Sequence, residues 1–151
     1  MSTTTGPAFD GHQFINGAYR QGGGEEAKRI NPATGEIAET LRYADPRDVD
    51  NAVAAARAAF AGWSRRTPAD RSAALLRLAA ELEARAGELA ALETAQTGKS
   101  IRMSTQFDVP GTVDNVSFFA GAARQLHGLA AGEYGAGGTS MIRREPIGVI
   151  G

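Results

Sequence analysis

The sequence predicts a mixed α/β fold whose sheet is incomplete. Apolar residues recur at helical spacing through the middle of the chain, and short β-prone runs joined by turn-forming clusters lie on either side of it. The chain also finishes on Ile147-Gly148-Val149-Ile150-Gly151, an apolar run that reads as the beginning of a strand without its neighbours.

Phe14-Ile15-Asn16-Gly17-Ala18-Tyr19 places an Asn-Gly pair between apolar residues, the strongest short signal for a hairpin. Lys28-Arg29-Ile30 and residues 37–43 flank Asn31-Pro32-Ala33-Thr34-Gly35-Glu36, which reads as strand, turn, strand. Taken alone, that cluster is an ordinary surface turn. Asp45-Pro46-Arg47-Asp48 supplies an N-cap, a proline at the first helical position and an acid in the first turn, so a helix is expected over 46–62. Thr67-Pro68-Ala69-Asp70 repeats the signal. Leu75, Leu78, Leu82, Leu89 and Leu92 then mark one apolar side of a long helix, stepped at Gly87 and stopped at Gly98. Ser100 is placed to cap a third helix, which Pro110 is expected to break near Asp108. A further helix should run to His127, with Gly128 as its stop. Residues 132–138 read as a loose Gly-rich link, and 139–144 as a strand.

Composition limits the function. Apolar residues make up 42% and charged residues 22%, the balance of a soluble globular protein. Sixteen basic and seventeen acidic residues leave a formal charge of −1, so no global field favours nucleic acid or an anionic membrane. No stretch approaches the ~20 apolar residues that a membrane-spanning helix needs. Residues 1–8 lack the basic start and apolar stretch of a signal peptide and read as a disordered tail, which makes the cytoplasm the default location. The absence of cysteine excludes a disulfide scaffold and a thiolate nucleophile within these residues.

Few residues offer chemistry. Gly135-Ala136-Gly137-Gly138 lacks the spacing of a phosphate-cradling loop and opens no helix. His12 and His127 are too few and too far apart in sequence to suggest a metal site. Asp108 and Asp114, six apart, fall on roughly opposite helix faces, and the plainer reading of Asp108 is an N-cap for the helix that carries Pro110. The charged residues of the long helix read as solvated.

In order along the chain come the Asn31-Pro32-Ala33-Thr34-Gly35-Glu36 turn and a helix ending Phe60-Ala61-Gly62-Trp63. Leu92-Glu93-Thr94 with Thr97-Gly98-Lys99, Phe118-Phe119-Ala120-Gly121, and Arg143-Arg144-Glu145-Pro146-Ile147-Gly148-Val149-Ile150 follow. This succession over residues 12–151 resembles the opening of the aldehyde dehydrogenase superfamily. Phe118 to Arg124 and Gly128 to Tyr134 are most similar to its γ-aminobutyraldehyde and betaine aldehyde branch.

The resemblance implies the N-terminal part of that fold. Residues 9–138 would open an incomplete Rossmann-like NAD(P)-binding domain, 139–146 a strand of the β extension through which subunits pair, and 147–151 a returning strand. It implies oxidation of a small-molecule aldehyde to the acid, with NAD, or NADP as the alternative, and a homo-oligomer, dimer or tetramer, in the full-length enzyme. The family's cysteine nucleophile and its cofactor-gripping residues have no counterpart here, so neither catalysis nor cofactor binding is expected of this chain alone. Three expectations carry over by position. The backbone carbonyl of Ile30, with that of Arg29, matches an edge of a monovalent-cation site. Gln96 stands where many members have an aspartate, replacing a carboxylate by a neutral amide. Asp108 matches the mouth of the substrate tunnel, where an acid attracts an ammonium group. The alternatives are a short non-catalytic chain that docks onto full-length subunits through residues 139–144, and an unstable remnant.

Overall fold

The computed structural model describes residues 12–151, and the tail expected over residues 1–8 lies outside the described residues. The strands β1 (Gln13–Ile15) and β2 (Ala18–Arg20) form the expected hairpin, with Phe14 opposite Tyr19. Asn16 and Gly17 both take positive φ, +52° and +78°, the two-residue turn whose twist matches its strands. Strands β3 (Glu26–Ile30) and β4 (Ile37–Arg42) pair antiparallel, with an irregularity in register between Arg29 and Ile30. The turn between them closes on itself. Asn31 Oδ1 accepts from the Ala33 amide at 2.9 Å, and the Gly35 amide donates to the Asn31 carbonyl at 2.8 Å.

Helix α1 (Pro46–Trp63) begins at Asp45, whose side chain accepts from the Asp48 amide, while the Asp48 carboxylate accepts from the Asp45 amide. Thr67 and Asp70 repeat this reciprocal cap for α2 (Pro68–Ala84). The expected step in the long helix falls at Arg85 rather than Gly87. Arg85 leaves helical geometry, and α3 (Ala86–Thr97) runs on to Gly98, which terminates it at φ +76°. An ion pair from Arg85 to Glu88, 2.7 Å long, spans the step.

Pro110 does not break the next helix. Ser100 caps α4 (Ile101–Met103), Ser104–Asp108 form a π turn, and α5 (Val109–Ala122) continues from it. In the π turn the Val109 amide reaches back to the Ser104 carbonyl, one residue beyond its α-helical partner. The wider turn accommodates the proline ring against the preceding turn, and Pro110 then lies in the first turn of α5, where a missing amide costs little. Asp108 is therefore no N-cap: it is itself helical and makes no capping bond. Helix α5 also ends short of His127. Arg124 and Gln125 bond to carbonyls three residues back, which tightens and finishes the helix.

Residues 132–138 are not a link. They belong to a third hairpin, β5 (Leu129–Gly135) with β6 (Gly138–Ile142), in which Gly135 faces Gly138 and Gly137 takes φ +88°. Residues 143–151 carry no strand. Among the described residues the strands form three separate two-stranded antiparallel sheets. Packing centres on α2 and α5, with Ala79, Ala90, Val109 and Ala120 buried. Small side chains let these helices approach closely.

Candidate functional site

Two caps and a turn build one charged cluster. The left-handed turn at Gly98 redirects the chain out of α3, and a Cβ there would lie 2.8 Å from Pro32 Cγ, so the 31–36 turn sits directly on this corner. Ser100 caps α4 immediately afterwards. Lys99 is thereby held between two fixed positions. The fully buried Ser104 ties the π turn to α3, its Oγ 3.0 Å from Thr94 Oγ1. That contact brings the end of the π turn, Asp108, toward Lys99.

The Lys99 ammonium donates to Glu93 Oε1 at 2.8 Å and to Asp108 Oδ2 at 2.9 Å. All three side chains are a little over one-third exposed, so the cluster borders water. The hydrogen bond to Glu93 first, then that to Asp108, holds the ammonium above the ordinary lysine range against a small opposing effect of burial. Lys99 thus stays charged through neutral pH. Two carboxylates and one ammonium leave this group one net negative charge.

The cluster lines a cavity of about 520 Å³ whose apolar wall is Leu82, Leu89, Leu92 and Val109. Gln96 and Thr112 add neutral polar groups. An apolar cavity with a few convergent polar groups is the common form of a small-molecule site. A larger groove, about 900 Å³, runs between β1, α1 and residues 147–151. Its carboxylate, Asp48, is already committed: it accepts from the Gly23 amide at 2.8 Å and from the Asp45 amide. The smaller cavity is the better chemical candidate.

The cavity gathers Asp108 and Gln96, while Arg29 and Ile30 lie outside it. Arg29 pairs with Glu39 across β3 and β4 at 3.1 Å, and its Nη1 is buried without a hydrogen-bond partner. Pro32 against Gly98 nevertheless brings the end of β3 beside the end of α3, which carries Gln96. Glu93 and Lys99 were not singled out as site residues from the sequence. Both fell within the Leu92-Glu93-Thr94 and Thr97-Gly98-Lys99 landmark of the resemblance, an acid and a base on either side of a helix-stopping glycine, which gave them no role. Gly135-Ala136-Gly137-Gly138, being a hairpin turn, does not fit a nucleotide phosphate. Among the described residues no three His, Cys, Asp or Glu side chains converge as a metal would require, and no helix is long and apolar enough to cross a membrane.

Comparison with known proteins agrees on one group. The model of the aldehyde dehydrogenase family matches residues 19–151. An aminoacetaldehyde dehydrogenase of Pseudomonas aeruginosa is 42% identical over 91% of this chain and 28% of its own length. An NADP/NAD-dependent aldehyde dehydrogenase of Escherichia coli is 38% identical over 95% of the chain and 29% of its own length. The chain thus spans less than one-third of these curated relatives. Among solved structures, an indole-3-acetaldehyde dehydrogenase in complex with NAD+ superposes with a TM-score of 0.86 at 34% identity, over 94% of this chain and 29% of that one. A γ-glutamyl-γ-aminobutyraldehyde dehydrogenase from Burkholderia cenocepacia gives 0.77 at 38% identity, over 83% and 26%.

Proposed function

Because the chain belongs to the aldehyde dehydrogenase family, we propose that it is the N-terminal segment of an NAD-dependent enzyme, NADP being the alternative cofactor, that oxidises aminoaldehydes to carboxylic acids. The observation that carries the substrate class is the Glu93, Lys99 and Asp108 cluster on an apolar cavity. Its net negative charge favours an aldehyde with a cationic far end over a neutral one, and its leucines accept the methylenes between. The relative named for aminoacetaldehyde, whose substrate ends in an ammonium group, supports the same reading. γ-Aminobutyraldehyde is the substrate we favour within it, and betaine aldehyde, the trimethylated form of the shorter aminoacetaldehyde, is the quaternary alternative.

Family chemistry needs a thiolate, and these 151 residues contain no cysteine; the chain by itself is proposed to be inactive. We assign none of its residues to the nucleotide, which supplies the hydride acceptor when bound to the complete enzyme. The carbonyls of Arg29 and Ile30 with the Gln96 amide are proposed as a weak monovalent-cation site, three neutral oxygens without a carboxylate's charge. A homodimer or homotetramer in the cytoplasm completes the proposal, with residues 139–146 as part of the pairing extension.

Asp108→Asn in the complete enzyme tests the substrate class. KM for γ-aminobutyraldehyde should rise on the order of fivefold, the scale of one partly exposed charge pair, while KM for pentanal, which has the same number of heavy atoms, stays put. Equal changes for both substrates would refute a charge-reading role.

A further inference from the structure

We infer that Lys99 is a specificity-determining residue: its ammonium occupies the place against Asp108 that the ammonium of an aminoaldehyde takes, so it competes with cationic substrates and tempers the preference for them. This rests on the aminoaldehyde reading above. The geometry gives the reason. Asp108 Oδ2 is 2.9 Å from Lys99 Nζ, and the same ammonium holds Glu93 Oε1 at 2.8 Å. Both carboxylates on the wall of the cavity are therefore occupied from within. A carboxylate oxygen accepts several hydrogen bonds, but a second full positive charge at Asp108 meets the first. An incoming ammonium must displace Lys99 or share the acid with it.

Displacement is feasible because the cluster is not sealed. Each side chain is more than one-third exposed, and a released lysine ammonium regains water and keeps its bond to Glu93. The lysine backbone is pinned by the Gly98 turn and the Ser100 cap, so only its four-carbon side chain moves. A neutral aldehyde leaves the cluster intact and meets only the leucine wall. The result is an enzyme that accepts cationic and neutral aldehydes with a smaller ratio between them than a bare carboxylate would give.

The test is the ratio of kcat/KM for γ-aminobutyraldehyde to that for pentanal, measured on the complete enzyme. Lys99→Met should raise this ratio on the order of three- to fivefold, the range of an exposed ion pair. The gain should shrink when Asp108→Asn is combined with it, because one of the two freed carboxylates is then gone. Lys99→Gln keeps a hydrogen-bond donor without the charge and should raise the ratio as well, which serves if Lys99→Met does not fold. Lys99→Arg, which keeps the charge, should leave it near the starting value. Arg85→Met, a surface cation outside the cavity, controls for overall charge and should not move it. A ratio that stays flat or falls in both neutral variants, while Asp108→Asn lowers it, overturns the role of Lys99 and leaves the aminoaldehyde reading standing. No change of ratio in Asp108→Asn overturns both.

Discussion

Gly98 and Gly35 have nearly the same φ, +76° and +75°, yet sit in different surroundings. A Cβ on Gly35 meets open space, whereas one on Gly98 lies 2.8 Å from Pro32 Cγ and 3.1 Å from its Cβ. Left-handed backbone costs an L-residue roughly 1–2 kcal/mol, so Gly35→Ala should destabilise by about that amount. Gly98→Ala should cost at least about 1 kcal/mol more, since the ring of Pro32 must be pushed off the corner that carries Lys99. Urea unfolding of the complete enzyme measures the difference; equal losses would mean that the 31–36 turn yields without cost. At this scale the candidate site was only partly legible. Asp108 and Gln96 were reached by position in the family, but the lysine that joins Asp108 to Glu93 depends on a side chain crossing a turn, and no spacing rule encodes that crossing.

Helix starts were the most legible elements, because a cap is a local contract among a few consecutive residues. Asp45 with Asp48 and Thr67 with Asp70 form the reciprocal bonds that their sequences promise. Helix ends and interruptions were harder. Pro110 forbids a regular α turn, yet nothing local distinguishes a break from a π turn, and the Ser104 to Thr94 contact that accompanies the π turn joins residues ten apart. The hairpin at 135–138 was hidden because glycine serves both a link and a turn. Asp48 does more than cap. Its carboxylate also accepts from the Gly23 amide, and that bond first, then the bond from Asp45, holds it below the ordinary carboxylate range against slight burial. A depressed folded-state pKa contributes stability above the unfolded value of about 3.9 and loses it as pH falls through the lower folded value. The thermal stability of the start of α1, followed by amide exchange at Gly23 and Asp45, should therefore hold from neutral pH to about pH 4–5 and decline below it. In Asp48→Ala, protection of both amides should be lower at neutral pH and the acid decline from this source absent. An unchanged decline would assign it to other carboxylates.

Across the whole molecule, the surface is too large for a self-sufficient monomer. A compact protein of 15.7 kDa exposes roughly 7,300 Å², whereas this chain exposes 11683 Å². Nor is the core strong: among the described residues, three of the five buried apolar side chains are alanines, which contribute little transfer free energy each. Meanwhile Phe118, Phe119 and Met141 are more than half exposed, Ile147 and Ile150 are more exposed still, and each two-stranded sheet leaves open edges. Apolar area of this extent drives association, and unpaired edges give it a template. The 151-residue chain on its own should therefore self-associate at micromolar concentration, bind a dye specific for exposed apolar surface, and unfold without a sharp transition. Sedimentation velocity across a dilution series measures the first directly. A concentration-independent monomer with a reversible, cooperative thermal transition would show instead that the α2 and α5 pair stabilises the chain alone, and the exposed phenylalanines and isoleucines would then need no cover.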